Sequence, residues 1–356
     1  MLKEYLKLFV CPDCKGTLKK IFSQKIIGFY CEKCGIIFPV KDDIPIILAK
    51  EARNYYLEYP LIKEIEKKLS NNSFDELHKY IKRTSVLLMS KKDLLTWEWE
   101  DEQFWSRIYV KEMMSNVQKN WHDRTWQREL LVKELLIRSS LKNKTILSVG
   151  CGEGQNFRFL LKRYCNENSL YIATDISFEA LKLNRSRNTH KNSLYVLCSA
   201  DYELPFPDNR IDVLCYCGIL HHTKNKNNNI QKDKKLVRKN GYIILAEAVD
   251  HTTLPLVSWL MPKVETSAHE EQIGKGNLFA QITRKKGYEV IFVREVGTPF
   301  YVGIMKYLRN VILRNKQFFL FILNIDILII KTLGRIIPFF KAGEILLLAR
   351  RSTEKL

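Results

Sequence analysis

Seven short apolar runs, separated by segments with helical periodicity, follow one another from about residue 141 to the end of the chain. They read TILSVG, LYIATD, SLYVLCSA, IDVLCYCG, GYIILAEA, YEVIFVREV and EILLLARR. Strands that alternate with helices favour a doubly wound α/β fold, because each helical crossover brings the chain back to a parallel sheet. The pattern therefore predicts a Rossmann-like, doubly wound, seven-stranded and mostly parallel sheet.

Two stretches of different character precede this region, and a length of 356 residues suggests two or three units. Residues 1–48 contain short β-like runs with clustered cysteines, and residues 49–117 carry apolar residues at helical spacing, as in LIKEIEKKL and FDELHKYIKR. We expect a small β ribbon at 1–48 and a helical linker or lid segment at 49–117. The α/β domain would then span 118–356, with an apolar insertion at about 301–342.

The charge balance is strongly basic: 58 Lys and Arg face 39 Asp and Glu, which gives a net charge of +19. Such a charge favours nucleic acid, a lipid headgroup surface or an acidic substrate as partner, although it can also reflect a general enrichment in Lys, Asn and Ile. The first residues lack the apolar core of a signal peptide. Nine cysteines in so long a chain do not resemble a disulfide scaffold, so we expect reduced thiols and a cytoplasmic protein.

Four of the cysteines form the pattern CPDC, sixteen residues, CEKC. Each C-x2-C turn places two thiolates on one side of a tight knuckle, and two knuckles complete a tetrahedral shell of four sulfurs. A redox dithiol, the alternative, would need only one such pair. The spacing therefore predicts a closed, structural zinc site. Its ligands would be Cys11, Cys14, Cys31 and Cys34.

The residues around these cysteines carry a resemblance over about 6–48. LFVCPDCKGTL and FYCEKCGIIFPVKDDIPIIL resemble the small zinc-ribbon proteins that act as activating subunits of RNA and protein methyltransferases. Here the ribbon is fused to a longer chain. The resemblance therefore implies an intramolecular role, in which the ribbon packs on a catalytic domain or recognises a substrate.

The first strand of the α/β region ends in ILSVGCGEGQNF, with glycines at 150, 152 and 154. The dinucleotide fingerprint G-x-G-x-x-G would need its third glycine at 155, where the chain has Gln. Asp175 ends the next strand, about twenty residues on, where an acid can accept hydrogen bonds from ribose hydroxyls. The segments SADYELPFPDNRIDV and LCYCGILHHT follow in order.

This ordered set resembles the class I S-adenosylmethionine-dependent methyltransferases, in particular the group that includes quinone and other small-molecule methyltransferases, over about 120–250 and the last two strands. The resemblance implies that the glycines pass under the methionine and ribose of S-adenosylmethionine, and that Asp175 holds the ribose. It places 200–202 near the adenine and 217–219 near the methyl group. The implied cofactor-binding residues are Ser148, Gly150, Cys151, Gly152, Gly154, Asp175, Ile176, Ala200, Asp201, Tyr202, Cys217 and Gly218.

Two departures from that family accompany the resemblance. Ser148 stands where the family commonly has an acid that helps to hold the ammonium end of the cofactor, which implies weaker binding. ADYELPF is also one residue shorter than the usual spacing between the acid and Leu204. A cofactor-binding scaffold without catalysis is therefore a non-enzymatic alternative.

Candidate catalytic residues follow the fourth strand of the α/β region. His221 and His222 stand at its carboxyl end, where a general base for a hydroxyl acceptor would lie, although they could instead orient a substrate or pack. Glu247, Asp250 and His269 are further candidates. Because helices before the first strand commonly close the pocket in the family, a lid is also predicted, formed by Trp121, Arg124 and Trp126.

The acceptor is open between two classes. The apolar segment 318–340 contains Asn324, Asp326, Lys331 and Arg335, so it is unsuited to span a membrane. It could cover a sheet edge, form a dimer contact, or touch the inner membrane face and shield a lipid-like substrate. We therefore expect methylation of a small or lipid-linked metabolite, with peripheral membrane contact through 318–340. RNA methylation guided by the ribbon is the alternative, and the oligomeric state is open.

Overall fold

Two β-sheets form the framework of the protein, whose computed structural model describes residues 6–23, 25–69, 75–92, 100, 102–107, 135–154, 163–224, 226, 228–248, 278–279, 281–282, 286–296, 315–333 and 344–352. The smaller sheet is antiparallel and contains β1 (Lys19–Ser23), β2 (Lys25–Cys31), β3 (Ile36–Lys41) and β4 (Ile44–Pro45) in that order. It is the predicted ribbon, with the cysteine pairs flanking its first two strands.

The larger sheet has seven strands in the spatial order β10–β11–β9–β8–β5–β6–β7. Its members are β5 (Thr145–Val149), β6 (Leu170–Asp175), β7 (Ser193–Leu197), β8 (Ile211–Cys217), β9 (Val237–Ala248), β10 (Tyr288–Val296) and β11 (Glu344–Arg351). Only β11 runs against its neighbours. Each strand lies on one of the seven apolar runs, so the predicted doubly wound, mostly parallel sheet is confirmed.

The strand order reverses at β5, which lies between β6 and β8. Open α/β sheets bind ligands in the crevice at such a point, outside the carboxyl ends of the strands. β6 and β8 are buried along their whole length because both faces of the sheet are covered. The main helices are α1 (Tyr55–Leu69), α2 (Asp75–Met89), α3 (Phe178–Arg187), α4 (Asn229–Asp233) and α5 (Lys316–Thr332). Residues 102–107 and 135–139 are also helical.

The ribbon pairs with the end of β7, which is one of the two edge strands of the large sheet. Ile46, just after β4, forms a parallel bridge with Leu197 at the end of β7, and Ile47 N donates to the Leu197 carbonyl at 2.9 Å. Val10 N donates to the carbonyl of Pro205 at 3.0 Å. An edge strand presents unpaired backbone groups that favour aggregation, and the ribbon satisfies some of them here.

Side chains extend this contact into a shared core. The Phe9 ring lies 6.2 Å from the ring of Phe206, and both residues are about 1% exposed. At the rim of the contact, Lys15 Nζ lies 3.0 Å from Glu203 Oε2 and 2.9 Å from the carbonyl oxygen of Leu204. One continuous cluster of buried apolar residues therefore runs from the ribbon into the large sheet.

The opposite face of the ribbon packs on α1 and α2, so the predicted linker helices form one unit with the ribbon. A fully buried ion pair joins them: Arg53 Nη2 lies 2.8 Å from Glu58 Oε1 and donates to the carbonyl of Ile37 on β3 at 2.8 Å. Burial raises the pKa of Glu58, and the neighbouring Arg53 opposes this shift. A buried pair of this kind fixes the position of α1, because either charge left alone would be costly.

The connection between β10 and β11 leaves and returns at one edge of the sheet. Val296, the last residue of β10, pairs with Glu344, the first residue of β11. Since β10 is parallel to β5, β6 and β8, residues 297–343 join the sheet at the edge where these strands end. Within the described residues, none of the helices combines the length and the apolar character that crossing a membrane requires.

The shared core predicts that the ribbon and the large sheet unfold together. Phe206→Ala should lower the free energy of unfolding by about 3–5 kcal/mol, because it leaves a cavity against Phe9. Calorimetry should show one transition that moves to lower temperature, whereas Phe22→Ala, at a side chain that is 46% exposed, should change it little. Two separate transitions would contradict a common core.

Candidate functional site

The glycine loop that follows β5 has a backbone that only glycine adopts easily. Gly150, Gly152 and Gly154 have φ angles of +59°, +53° and +84°. A Cβ atom at Gly150 would lie 2.3 Å from Ile219, and one at Gly154 would lie 2.6 Å from Asn184. The loop therefore packs closely between the segment after β8 and helix α3, and there is no room for a side chain at Gly150 or Gly154.

Asp175 is the acid at the end of β6. Its Oδ2 accepts a hydrogen bond from Gly152 N at 2.8 Å, and its Oδ1 accepts one from Ser177 N at 2.9 Å. Burial raises the pKa of Asp175 from 3.8 to about 6, although these backbone donors act in the opposite direction. The carboxyl group is therefore mostly ionised at neutral pH, and it ties the glycine loop to the start of α3.

A cavity opens between this loop and the ends of β6, β7 and β8. Its wall combines the glycine loop, the acid after β6, the segment after β7 and the segment after β8. The lining residues are Trp105, Val149, Gly150, Gly152, Asp175, Ile176, Cys198, Ser199, Ala200, Asp201, Gly218, Ile219, His222 and Thr223. This is the crevice that the reversal of strand order at β5 creates.

The structure brings the twelve residues implied as cofactor-binding to this edge of the sheet. Seven of them line the cavity: Gly150, Gly152, Asp175, Ile176, Ala200, Asp201 and Gly218. The other five lie in the same strand ends and loops without lining it: Ser148, Cys151, Gly154, Tyr202 and Cys217. Ser148 is buried in β5, where its carbonyl accepts a hydrogen bond from the Thr174 hydroxyl at 3.2 Å.

The segment after β7 is held from two sides. Lys232 on α4 donates from Nζ to the carbonyl of Ala200 at 2.5 Å and also to the carbonyl of Tyr202. On the other side, Lys15 of the ribbon contacts Leu204 and Glu203. The ribbon therefore contacts the same segment that supplies Ala200 and Asp201 to the cavity wall.

Glu247 lies behind the segment after β8, which forms one wall of the cavity, and holds this segment in place by hydrogen bonds. Its Oε1 accepts hydrogen bonds from Ile219 N at 3.0 Å and from Leu220 N at 3.2 Å, and its Oε2 lies 3.2 Å from Nδ1 of His221. Glu247 is fully buried. A carboxylate at Nδ1 favours the tautomer that carries the proton there and places the basic electron pair on Nε2.

His222 lines the cavity beside an aromatic side chain from a distant part of the chain. The rings of Trp105 and His222 meet edge to face, with their centroids 5.0 Å apart, and the ring of His221 lies 3.9 Å from that of His222. Burial, helped by His221, lowers the pKa of His222 to about 3. Its Nδ1 is buried and has no hydrogen-bond partner among the described residues.

Residues 102–107 are helical and cover one side of the cavity. Trp105 contacts His222, and the Ser106 hydroxyl lies 3.0 Å from that of Ser177, so this helix bridges the segments after β8 and β6. The sequence had suggested a lid at Trp121, Arg124 and Trp126, and these residues lie outside the described part of the chain. Asp250 and His269 also lie outside it.

The four ribbon cysteines form a compact cluster of free thiols. All four Sγ atoms lie within 4.8 Å of one another, and Cys14 Sγ lies 3.5 Å from Cys31 Sγ. Lys15 and Gly35 have φ angles of +56° and +66°, which give the tight turns of the two knuckles. The group has the donor set of a tetrahedral metal site.

Comparison with known proteins identifies both parts of the chain. Residues 147–245 match the family model described as a methyltransferase domain, and residues 3–43 match the model of the Trm112p-like proteins. The UPF0434 protein of Dechloromonas aromatica (strain RCB) is 46% identical over 48 residues, which are 14% of this chain and 79% of that protein. The UPF0434 protein of Legionella pneumophila (strain Corby) is 43% identical over 58 residues, which are 16% and 92%.

Solved structures with a similar fold are more distant. A complex that contains the Haloferax volcanii Trm112 methyltransferase activator has a TM-score of 0.45 and 12% identity, covering 66% of this chain and 95% of that chain. An S-adenosylmethionine-dependent methyltransferase from Mesorhizobium loti has a TM-score of 0.41 and 15% identity, covering 62% and 97%. Similarities at this level are too distant to indicate a substrate.

The sheet and the matched domain make this protein a methyltransferase with a ribbon fused to its N-terminal side. Through that ribbon, the chain belongs to the UPF0434 family of Trm112p-like proteins.

The low pKa of His222 predicts that the stability of the protein depends on pH. Between about pH 6.5 and pH 3 the unfolded chain binds a proton at this residue that the folded protein does not, so stability is lost as the pH falls through this range. His222→Phe keeps a ring beside Trp105 and should reduce that loss, whereas the control His78→Phe on α2 should not. Urea unfolding at about pH 7 and about pH 5 measures the difference. An equal loss in both variants would contradict the assignment.

Proposed function

We propose that the protein transfers a methyl group from S-adenosylmethionine to a small or lipid-linked acceptor. The observation that supports this most is the cavity at the reversal of strand order, where a glycine loop and a buried acid face each other. The glycine loop allows the cofactor to approach the backbone, and Asp175 accepts hydrogen bonds from its ribose. Asp201, in the segment after β7, is proposed to contact the adenine.

The described residues fit this cofactor. The backbone at Gly150 and Gly152 lines the cavity without side chains, and the oxygens of Asp175 keep lone pairs beyond the two backbone hydrogen bonds that they accept. The cofactor supplies an activated methyl group on a sulfonium. The protein then has to align the acceptor and exclude water. Trp105, on the helix that covers the cavity, is placed to exclude water.

We assign the proton transfer to His221. Glu247 Oε2 lies 3.2 Å from its Nδ1, and the imidazole is proposed to take the proton that a hydroxyl or amine acceptor loses as it attacks. His221 does not itself line the cavity, but its ring centroid lies 3.9 Å from that of His222, which does. Glu247 acts as a positioning residue, because its other oxygen fixes the backbone on which His221 stands. His222, which lines the cavity, remains neutral at physiological pH.

The cysteine cluster is proposed to hold one zinc ion in a closed site with four thiolates, which leaves no position for catalysis. The ion would keep the two knuckles together and so maintain the contacts of Val10 and Lys15 with the segment after β7. In this proposal the ribbon acts within its own chain, where the proteins it resembles act as separate activating subunits.

The RNA alternative has one observation in its favour, a basic and aromatic surface on the ribbon side. Tyr30 on β2 stacks on Tyr80 of α2 with ring centroids 5.4 Å apart, and Lys79 Nζ lies 5.0 Å from the Tyr80 ring. The exposed Lys33 and Arg83 lie at the second knuckle, where Arg83 packs against Gly35. Such a surface could bind a single strand by stacking and charge.

One experiment separates these functions. The protein is incubated with S-adenosylmethionine labelled in its methyl group and with a cell extract, and the extract is then fractionated. Label in the lipid or low-mass fraction is the expected result, and it should be lost in Asp175→Ala. Label in RNA would favour the alternative. The absence of any transfer, together with no heat of cofactor binding in calorimetry, would favour a non-catalytic scaffold.

Cofactor affinity should depend on pH through Asp175. Since its pKa is about 6, lowering the pH through that value protonates the carboxyl group and removes its charge. At about pH 5 the affinity for S-adenosylmethionine should be about tenfold weaker than at about pH 7.5. Asp175→Asn should bind weakly at both values and lose this pH dependence, as measured by calorimetry. Unchanged affinity in Asp175→Asn would refute the ribose contact.

The zinc proposal has a direct test. Metal analysis should give one zinc per chain, and Cys34→Ser should lower both the metal content and the melting temperature, since the ligand shell is broken. Cys165→Ser provides the control, because this thiol lies outside the cluster. A wild-type protein that is fully folded and free of metal would overturn the proposal.

A further inference from the structure

We propose that helix α5 docks on the surface of an anionic lipid bilayer and so brings the cavity edge of the large sheet to the membrane. The docking surface consists of the exposed Phe321, Leu328 and Lys331 of α5, the half-buried Ile325 beside them, and the exposed Leu333 directly after the helix. Membrane docking stands on this surface alone, while the acceptor class that follows from it also rests on the proposed methyl transfer.

Topology places α5 near the site. The chain leaves the sheet at Val296 and returns at Glu344, and these two residues pair at the edge where β5, β6 and β8 end. Helix α5 lies within this connection and packs against β10, next to the returning strand. Helix α5 therefore belongs to the connection that starts and ends at the same edge of the sheet as the cavity.

The two faces of α5 differ in burial. Ile322, Leu323 and Ile330 are buried toward the sheet. Phe321 and Leu328 are 58% and 60% exposed, and their spacing of seven residues puts them on one line along the helix. Isolated apolar residues on a surface are normal, but two large side chains, both more than half exposed on one line of a helix, indicate a surface that is covered in use.

Charge distinguishes a lipid surface from a second copy of the chain. The connection from 297 to 343 contains seven basic residues and one acid, and that acid, Asp326, is fully buried in α5. Lys331 is exposed at the end of the helix. Two copies of such a basic segment would repel each other, whereas anionic headgroups attract it and the apolar line can enter the acyl boundary.

The acceptor class follows from this placement. A protein held at the bilayer by α5 meets molecules that are anchored in the same surface, and their polar head can reach the cavity without leaving the membrane. The proposed acceptor is therefore a lipid-anchored molecule with a nucleophilic head group. Since none of the described helices can cross a membrane, the contact is peripheral.

The test is sedimentation with vesicles of phosphatidylglycerol and phosphatidylcholine, compared with vesicles of phosphatidylcholine alone. The protein should bind only the anionic vesicles, and binding should weaken as salt is raised. Phe321→Asp combined with Leu328→Asp should lower the affinity at least about tenfold. The matched control is Val86→Asp with Met89→Asp, which changes two exposed apolar residues on α2 and should leave binding unchanged.

Two results would overturn the proposal. One is equal binding of anionic vesicles by the α5 variant, the α2 variant and the wild type. The other is a wild-type dimer, seen by light scattering, that the α5 variant dissociates, because the face would then be an interface between copies. Calorimetry with S-adenosylmethionine in the absence of vesicles keeps the two proposals apart: the α5 variant should bind the cofactor as the wild type does. Failure of cofactor binding in both proteins would count against the proposed function and leave the vesicle result standing.

Discussion

The backbone hydrogen bond from Ile47 to Leu197, with the bridge beside it, joins the two sheets of the protein at the edge strand β7. β7 leads directly into the segment that forms one wall of the cavity. Closing this edge therefore does more than protect unpaired backbone groups. It fixes the starting point of the wall, and Lys15 and Val10 then hold the same segment a few residues further on.

Two buried carboxyl groups, one in the cavity wall and one behind it, are stabilised by hydrogen bonds from backbone N–H groups. Asp175 and Glu247 both lie at strand ends, and each accepts two hydrogen bonds from backbone N–H groups of neighbouring loops. Buried carboxyl groups are tolerated because these donors replace part of the lost hydration. The same hydrogen bonds hold the loop after β5 to the end of β6 and the loop after β8 to β9, so the arrangement of the site and the stability of the loops have a common origin.

Much of the fold could be predicted from sequence, because apolar runs report burial in a parallel sheet directly. The cysteine spacing and the glycine loop were also readable, since each depends on local geometry. Trp105 was not recognised as part of the cavity, because its place there depends on a contact with His222 more than a hundred residues later. The position of Glu247 behind His221 depends in the same way on the pairing of β8 with β9. The hydrogen bond that the backbone carbonyl of Ser148 accepts from Thr174 also depends on the pairing of neighbouring strands.

The contact between ribbon and sheet also sets an order for synthesis. Lys15 and Leu204 are 189 residues apart in sequence, so the ribbon is made long before the segment on which it rests. Phe9 packs on Phe29 within the ribbon, but its contact with Phe206 can form only after β7 and the segment that follows it have left the ribosome. Contacts between residues so far apart in sequence slow folding, and the apolar surface that they bury stays exposed until they form. The ribbon is made first, and its contact with the large sheet forms only when the middle of the chain has been made.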